Sequence, residues 1–303
     1  MKVFDYIFAA RPMLLLPVWS IYLTALHYHN ELIEGTFTFD NLAVMAGLTL
    51  LIAAAYYINQ IYDRSTDLAN QKVLFLQNQL VKANTLLKLF IILSIVPIGI
   101  SVLYSKVVFF IYLQLFGLGY LYSAPPFRLK DRAISGLLVN AYAFGFLISI
   151  SIMPNISPHN AGLLGWDNPF YFFLSVMGVH ILTTLPDAPG DKATGKRTIG
   201  VIFPKRMAVL LSLFAFIGAT LVAYKSGFKI LARISTVSAL VTFACVIISS
   251  GRLVLAAAKL PILFLTLLSG YFYPYYLLFV VVLVLATRSY YKRRFNIIYP
   301  KLV

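Results

Sequence analysis

The chain has 303 residues, 60% hydrophobic and only 12% charged, where a soluble domain carries roughly a quarter charged residues; a water-soluble fold is excluded. At about 20 apolar residues per bilayer crossing, this composition supplies roughly eight to ten membrane spans. The net charge of +15 would point a soluble protein toward nucleic acid, but here it is first a topology signal and no nucleic-acid partner is expected.

Nine apolar segments follow one another, each bounded by charge, Pro or Gly, at about 13–28, 41–61, 86–104, 107–122, 133–153, 170–186, 207–224, 230–250 and 260–287. The stretch 4–10, with Asp5 and Arg11, suits a short interfacial helix leading into the first span. That span is expected to be retained, since no small-residue cleavage site follows it before Glu31. Between the third and fourth segments only Ser105-Lys106 marks a break. The single cysteine, Cys245, lies in an apolar stretch, which excludes an intramolecular disulfide framework or a multi-cysteine metal site and suits a small buried hydrophobe.

Basic residues concentrate in the loops on the N-terminal side. The other side holds Lys106, Lys225, Lys229, Arg233 and, with nine spans, a basic tail of Arg288, Lys292, Arg293, Arg294 and Lys301. The N-terminus and its loops are therefore expected in the cytoplasm of a multi-pass cell-membrane protein. The tail argues instead for an even number of spans, so nine is held against eight or ten. The expected fold is one all-α integral membrane domain over 1–303, about nine transmembrane helices in two pseudo-repeated four-helix halves plus one helix. The pseudo-repeat rests on two acidic pairs, 63/67 and 187/191, that fall at the same ends of the second and sixth segments.

The first pair sits in Asn59-Gln-Ile-Tyr-Asp63-Arg-Ser-Thr-Asp67, whose oxygens at i, i+4 and i+8 share one helical face. They are hard ligands of the kind Mg²⁺ takes when it shares its sphere with substrate phosphates. Asp187-Ala-Pro-Gly-Asp191 repeats the spacing; Pro189 and Gly190 predict that a helix ends there and a loop begins. Four carboxylates opposed across a bundle repel unless cations lie between them, and a bound pair of divalent ions answers that. Arg64 and Lys72, the run Tyr122-Ser-Ala-Pro-Pro-Phe-Arg128-Leu-Lys130-Asp-Arg132, and Lys192 with Arg197 surround the acids in sequence. Metal-holding acids beside Arg and Lys describe a site for a diphosphate.

The Asn-xxx-Asp-xxx-Asp stretch, the Tyr-Ser-Ala-Pro-Pro-x-Arg-x-Lys loop and the Asp-xxx-Asp-xxx-Gly-Lys-Arg-Thr-Ile-Gly-Val run, in this order on successive span ends, resemble the UbiA superfamily of intramembrane prenyltransferases over about residues 10 to 205. The resemblance implies helices around a central cavity, capped by loops at about 62–85, 123–132 and 187–206. It also implies Mg²⁺-dependent transfer of an isoprenyl group from a polyprenyl diphosphate, of geranyl or geranylgeranyl class, to a lipophilic acceptor such as an aromatic quinone precursor. Carried over by position, Asn59, Asp63, Asp67, Asp187 and Asp191 would hold two Mg²⁺ ions, the four aspartates being the catalytic set. Arg11 would reach the diphosphate, joined by Asn59, Arg64, Lys72, Tyr122, Arg128, Lys130 and Lys192. Three departures stand out: Gln60 replaces a common Asp, the usual Arg-Pro-rich run after the first motif is only Asn70-Gln71-Lys72, and the spacing from Tyr122 to its lysine is stretched, leaving Arg128 and Lys130 as alternatives.

Allylic ionisation needs metal and basic groups at the leaving diphosphate and a dry aromatic cavity for the cation. Tyr56, Tyr57, Phe116, Tyr120, Tyr142, Phe144 and Phe146 are candidate walls, and His180, two turns before Asp187, is a candidate for the upper cavity. No dedicated general base stands out, and no protein partner is read from the chain; its partners are the diphosphate donor, the acceptor and membrane lipid. Two rival readings fit the sequence less well. Membrane CDP-alcohol phosphotransferases carry an Asp-Gly-x-x-Ala-Arg element that this sequence lacks. An ion-coupled transporter would place its carboxylates near the bilayer midplane, whereas these fall at segment ends beside basic loops.

Overall fold

The computed structural model describes residues 2–33, 36–70, 72, 75–152 and 167–300. The expectations for Gln71, Met153, His159, Trp166 and Lys301 lie outside the described residues.

Fourteen helices are seen, with no strand among the described residues. They are α1 (Lys2–Ala9), α2 (Leu16–Ile33), α3 (Phe39–Tyr62), α4 (Arg64–Ala69), α5 (Ala83–Tyr104), α6 (Lys106–Ser123), α7 (Ala133–Asn140), α8 (Ile148–Ile150), α9 (Asp167–Ala193), α10 (Ile199–Ile202), α11 (Lys205–Lys225), α12 (Lys229–Ile247), α13 (Gly251–Phe272) and α14 (Pro274–Phe295). A π-helical turn, Ala141–Leu147, joins α7 to α8 in one span. Among the described residues ten stretches are long and apolar enough to cross a membrane, one of them α1 with α2. The chain is a multi-pass membrane protein.

Ten candidate spans agree with the expected fold of about nine, on the even count held beside it. The apolar run 260–287 is two helices, because Pro274 cannot donate a backbone hydrogen bond and holds Tyr273 out of the helical region, at φ −128° and ψ 83°. α13 also starts earlier than charge suggested, taking Arg252 and Lys259 into its length. The break at Ser105 stands where the sequence put it, with the Ser105 hydroxyl accepting from the Val108 amide and capping α6.

An even count returns the tail to the side of the N-terminus, and the structure shows the two in contact. Arg294 at the end of α14 pairs with Asp5 of α1. The basic tail therefore joins the motif loops rather than opposing them.

α2 meets α13 and the start of α14 through hydroxyl groups. Ser20 Oγ lies 2.8 Å from the Tyr276 hydroxyl and 3.1 Å from Thr266 Oγ1, and Thr24 Oγ1 lies 2.9 Å from Ser269 Oγ. Without a hydrophobic force between helices in lipid, such small polar contacts and close backbones hold spans together. The outer faces carry exposed Ile92, Ile95, Leu103, Phe214, Leu240, Ile247 and Leu278, as lipid-facing surfaces do.

The acid-bearing ends of α3 and α9 come together through α4. The Thr66 and Thr194 hydroxyls lie 3.3 Å apart, and Gly190 meets the Asn70 side-chain amide where a Cβ would not fit. The expected helix end at Pro189 is not observed, since α9 runs on through Pro186 and Pro189 to Ala193. The helix survives because its last carbonyls are satisfied by a side chain: the Thr194 hydroxyl bonds the carbonyls of Gly190 and Asp191 at 2.9 and 3.1 Å.

Candidate active site

Two cavities meet at the ends of α3, α6 and α9. The smaller, about 170 Å³, is lined by Asn59, Asp63, Asp67, Lys72, Tyr122, Lys130, Asp187, Asp191 and Lys196. The larger, about 490 Å³, runs into the bundle between apolar walls. Asn59, Lys72, Tyr122, His180, Thr183 and Asp187 line both, so a polar chamber opens onto an apolar one.

Each carboxylate of the polar chamber has a cation or hydroxyl against it. Asp63, at the C-terminus of α3, lies 2.8 Å from Lys130 Nζ and 3.0 Å from Lys196 Nζ. Asp67 takes Arg11 Nη2 at 2.7 Å and stands 3.9 Å from Lys72 Nζ, which also reaches Asp187 at 2.8 Å. Asp191 accepts from the Thr198 hydroxyl at 3.0 Å. Burial works against the Asp63 carboxylate, but the two ammonium groups outweigh it and hold its pKa down to about 2. For Lys130 burial wins, and its pKa falls despite Asp63; for Lys196 the surrounding Asp63, Asp131 and Asp191 win over burial and its pKa rises.

Local backbone conformation decides which basic residues arrive. Arg128 sits in the left-handed region at φ 42° and turns its Nε to Asp131 at 2.6 Å, so Lys130 and not Arg128 faces the chamber. Arg64 and Lys192 are exposed and line neither cavity. Arg11 also adopts a left-handed conformation, φ 54°, at the elbow between α1 and the turn Pro12–Leu15. Tyr122 lines both cavities, and Asn59 donates to the Ser123 hydroxyl at 3.4 Å. Gln60 points the other way: it is buried against α1, its Nε2 3.5 Å from the Ala9 carbonyl, and lines neither cavity.

Lys196 is absent from the set chosen on sequence. It reaches the chamber because the loop after α9 folds back: the Arg197 amide bonds the Asp131 carbonyl at 2.7 Å and Gly200 abuts the Thr184 carbonyl. The Gly195-Lys196-Arg197-Thr198 run quoted above contains it, but nothing in that run sets Lys196 apart from Arg197.

Tyr56 and Phe144 line the apolar cavity, whereas Tyr57, Phe116, Tyr120, Tyr142 and Phe146 do not. Tyr57 bonds the Tyr6 carbonyl at 2.9 Å and Phe116 stacks on Phe90. The aromatic walls that sequence missed, Tyr171, Phe172 and Phe216, come from α9 and α11. Counting 1.5 Å per residue, Phe172 stands about 22 Å along α9 from Asp187. His180 lines both chambers, where the sequence suggested it could.

The donor set of one amide and four carboxylate oxygens suits a hard divalent cation. Among the described residues no three acidic, imidazole or thiol groups converge closely enough to hold one ion. Lys72, Lys130, Lys196 and Arg11 occupy the carboxylates instead. The two observations agree if metal arrives with an anion, since phosphate oxygens would draw the ammonium groups off and leave the carboxylates to the ion.

Comparison with known proteins gives the same outline. The UbiA prenyltransferase family matches residues 14–260. A 2-acyl-4-prenylphloroglucinol 6-prenyltransferase of Humulus lupulus chloroplasts is 32% identical over 177 residues, 54% of this chain and 43% of the relative. A probable homogentisate phytyltransferase 2 of Oryza sativa subsp. japonica chloroplasts is 29% identical over 155 residues, 48% of this chain and 41% of the relative. The chain thus matches less than half the length of these curated relatives. A UbiA homologue of Archaeoglobus fulgidus, solved with DMAPP and Mg²⁺, superposes with a TM-score of 0.65 at 18% identity, over 88% of this chain and 98% of that one. A digeranylgeranylglyceryl phosphate synthase structure superposes at 0.66 and 17% identity, over 88% and 96%; at these identities the likeness is one of fold. With a family match across most of its length, the chain belongs to the UbiA prenyltransferase family.

Proposed function

We propose that this protein transfers an isoprenyl group from a polyprenyl diphosphate of geranyl or geranylgeranyl class to a lipophilic, aromatic acceptor of quinone-precursor type, within the membrane. The observation that carries the reading is the junction of the two cavities. A chamber of carboxylates and lysines opens onto an apolar pocket of about 490 Å³, as a molecule with a diphosphate head and a hydrocarbon tail requires. The curated relatives, named as a 2-acyl-4-prenylphloroglucinol 6-prenyltransferase and a probable homogentisate phytyltransferase, support an aromatic class of acceptor, and the neighbour solved with DMAPP and Mg²⁺ supports the donor and the metal.

Asp63, Asp67, Asp187 and Asp191, with Asn59, would hold Mg²⁺, two ions for two acidic pairs. Bound there, Mg²⁺ would neutralise charge on the leaving diphosphate. Lys72, Lys130, Lys196 and Arg11 bind phosphate oxygens and stabilise the charge that grows as the allylic C–O bond breaks. Tyr56, Phe144, Phe172 and Phe216 exclude water from the cation and offer it aromatic faces. The acceptor carbon then bonds the allylic cation and its proton passes to the diphosphate already released, which departs protonated.

The carboxylates stand at one end of the bundle, beside basic loops, which favours a phosphate site over ion-coupled transport. The same end faces the cytoplasm in this reading. With ten spans, only Lys106, Lys225, Lys229 and Arg233 of the Lys and Arg among the described residues fall at the opposite end.

Binding of geranyl thiodiphosphate to the purified protein in detergent, with and without Mg²⁺, tests the reading for the wild type, Asp63→Ala and Asp191→Ala. Metal-dependent binding lost in both variants, with turnover of geranyl diphosphate on a phenolic acid, is expected. Equal binding without metal, or indifference to both substitutions, overturns it.

A further inference from the structure

α14 and α1 both lie outside residues 14–260, over which the family match runs. They meet through an ionic contact buried on the Asp5 side and partly exposed at Arg294. Asp5 is 1% exposed; its carboxylate takes Arg294 Nε at 3.1 Å and Nη2 at 3.0 Å on its two oxygens, and the Tyr290 hydroxyl as well. Around this contact the Phe8 ring stacks on Tyr290 with centroids 3.9 Å apart, Tyr291 meets Phe8 and Phe75 edge-on, and Tyr299 closes on Tyr291 at 4.7 Å.

α1 has eight residues, too few to be a stable helix alone. It is held from two sides. Tyr57 and Gln60 of α3 bond the carbonyls of Tyr6 and Ala9, and α14 holds Asp5 and Phe8. Arg11 follows directly: its amide bonds the Phe8 carbonyl at 3.0 Å, its backbone is left-handed, and its guanidinium reaches Asp67 at 2.7 Å. From Asp5 to Arg11 the chain is one helix and one fixed elbow, so a tilt of α1 displaces the Arg11 side chain. Packing alone would be served as well by an apolar contact, since a buried ion pair offsets its own desolvation only in part. A bidentate pair fixes orientation.

We propose that the end of α14 is a clasp whose Arg294 and Asp5 are positioning residues for Arg11, setting the affinity of the chamber for diphosphate. The proposal rests on the diphosphate reading of the site. Loosening the clasp leaves the carboxylates in place but lets Arg11 wander from the anion.

Calorimetric titration of the purified full-length protein in detergent with inorganic diphosphate and Mg²⁺ tests this, with thermal melting as a check on folding. Arg294→Ala is expected to weaken diphosphate binding about tenfold, the loss of one charge-assisted contact. Arg294→Lys should recover most of the affinity. In an Arg11→Ala background Arg294→Ala should add nothing, because it acts through Arg11. Should Arg294→Ala fail to fold, Tyr290→Phe removes a single hydroxyl and is expected to weaken binding in the same direction. Unchanged affinity in Arg294→Ala or Tyr290→Phe, a lowered melting temperature as the only effect, or additive losses with Arg11→Ala overturn the clasp. Absence of diphosphate binding in the wild type overturns the proposed function itself, a result distinct from these.

Discussion

Lys196 Nζ lies 3.0 Å from Asp63 Oδ1, joining the loop after α9 to the end of α3 across 133 positions of sequence. Asp63 is buried and shared with Lys130 at 2.8 Å, so two ammonium groups face one carboxylate.

Removing that carboxylate takes from Lys130 its ion-pair partner and leaves Lys196 only Asp131, at 3.6 Å. Asp63→Asn is expected to lower stability by about 3 kcal/mol, the scale of a broken buried ion pair, and to reduce turnover by at least about a hundredfold as leaving-group stabilisation is lost. Adding Lys130→Met removes the stranded charge. The double variant should recover most of the melting temperature and none of the activity. Melting in detergent with steady-state turnover measures both; recovery of activity would count against a catalytic role for Asp63.

Basic residues near the acids should divide by position rather than by charge. Lys72 bridges Asp67 and Asp187 and lines both cavities, so Lys72→Met is expected to raise the donor KM about tenfold, the value of one charge-assisted phosphate contact. Arg64, Arg128 and Lys192 face solvent or Asp131. Their alanine variants should keep donor KM within about twofold, as exposed charges do. Kinetics of the four variants with donor varied at saturating acceptor would show whether the sequence's wider set of phosphate ligands narrows in this way.

What the sequence disclosed and what it hid have a physical basis. The paired acids stood out because a four-residue spacing at span ends repeats in two places, and Lys72 and Lys130 as basic residues of the same loops, whereas Arg11 came only with the family resemblance. Lys196 did not stand out, because its burial depends on a tertiary contact of the Arg197 amide with Asp131 that no local pattern encodes. Arg128 and Lys130 are equal as charges and differ only in a left-handed backbone angle at one of them. The helix through Pro189 was missed because local propensity argued against it, while a Thr194 side chain and the packing of Gly190 on Asn70 sustain it. The tenth span was hidden inside one unbroken hydropathic run, although Pro274 marked the break.

Donor chain length should follow the apolar walls. Phe216 lines the large cavity about 16 Å along α11 from Lys205, taking 1.5 Å per residue, and its ring packs on Gly178 of α9. Phe216→Leu shortens that wall. The ratio of kcat/KM for geranylgeranyl over geranyl diphosphate is expected to rise about tenfold, the usual discrimination from a methylene or two in an apolar pocket. Competition between the two donors reads it directly, and an unchanged ratio would place the chain elsewhere in the cavity.

The close approach of the π-helical turn to α9 gives a test of the scaffold. A Cβ on Gly145 would stand 2.6 Å from the Phe172 carbonyl oxygen and 2.6 Å from the Phe173 Cα, both backbone atoms that cannot swing aside. Gly145→Ala must therefore push α9 away, at a cost of about 1–3 kcal/mol for an overpacked contact. Because α9 carries Asp187 and Asp191, activity should fall with stability. Gly117 of α6 has nothing within 4 Å of the same position, so Gly117→Ala should be neutral or stabilising by up to about 1 kcal/mol through helix propensity. Melting temperatures of the two variants in one detergent compare them on equal terms. A Gly145→Ala protein as stable as Gly117→Ala would mean that the two helices are not in backbone contact at this point.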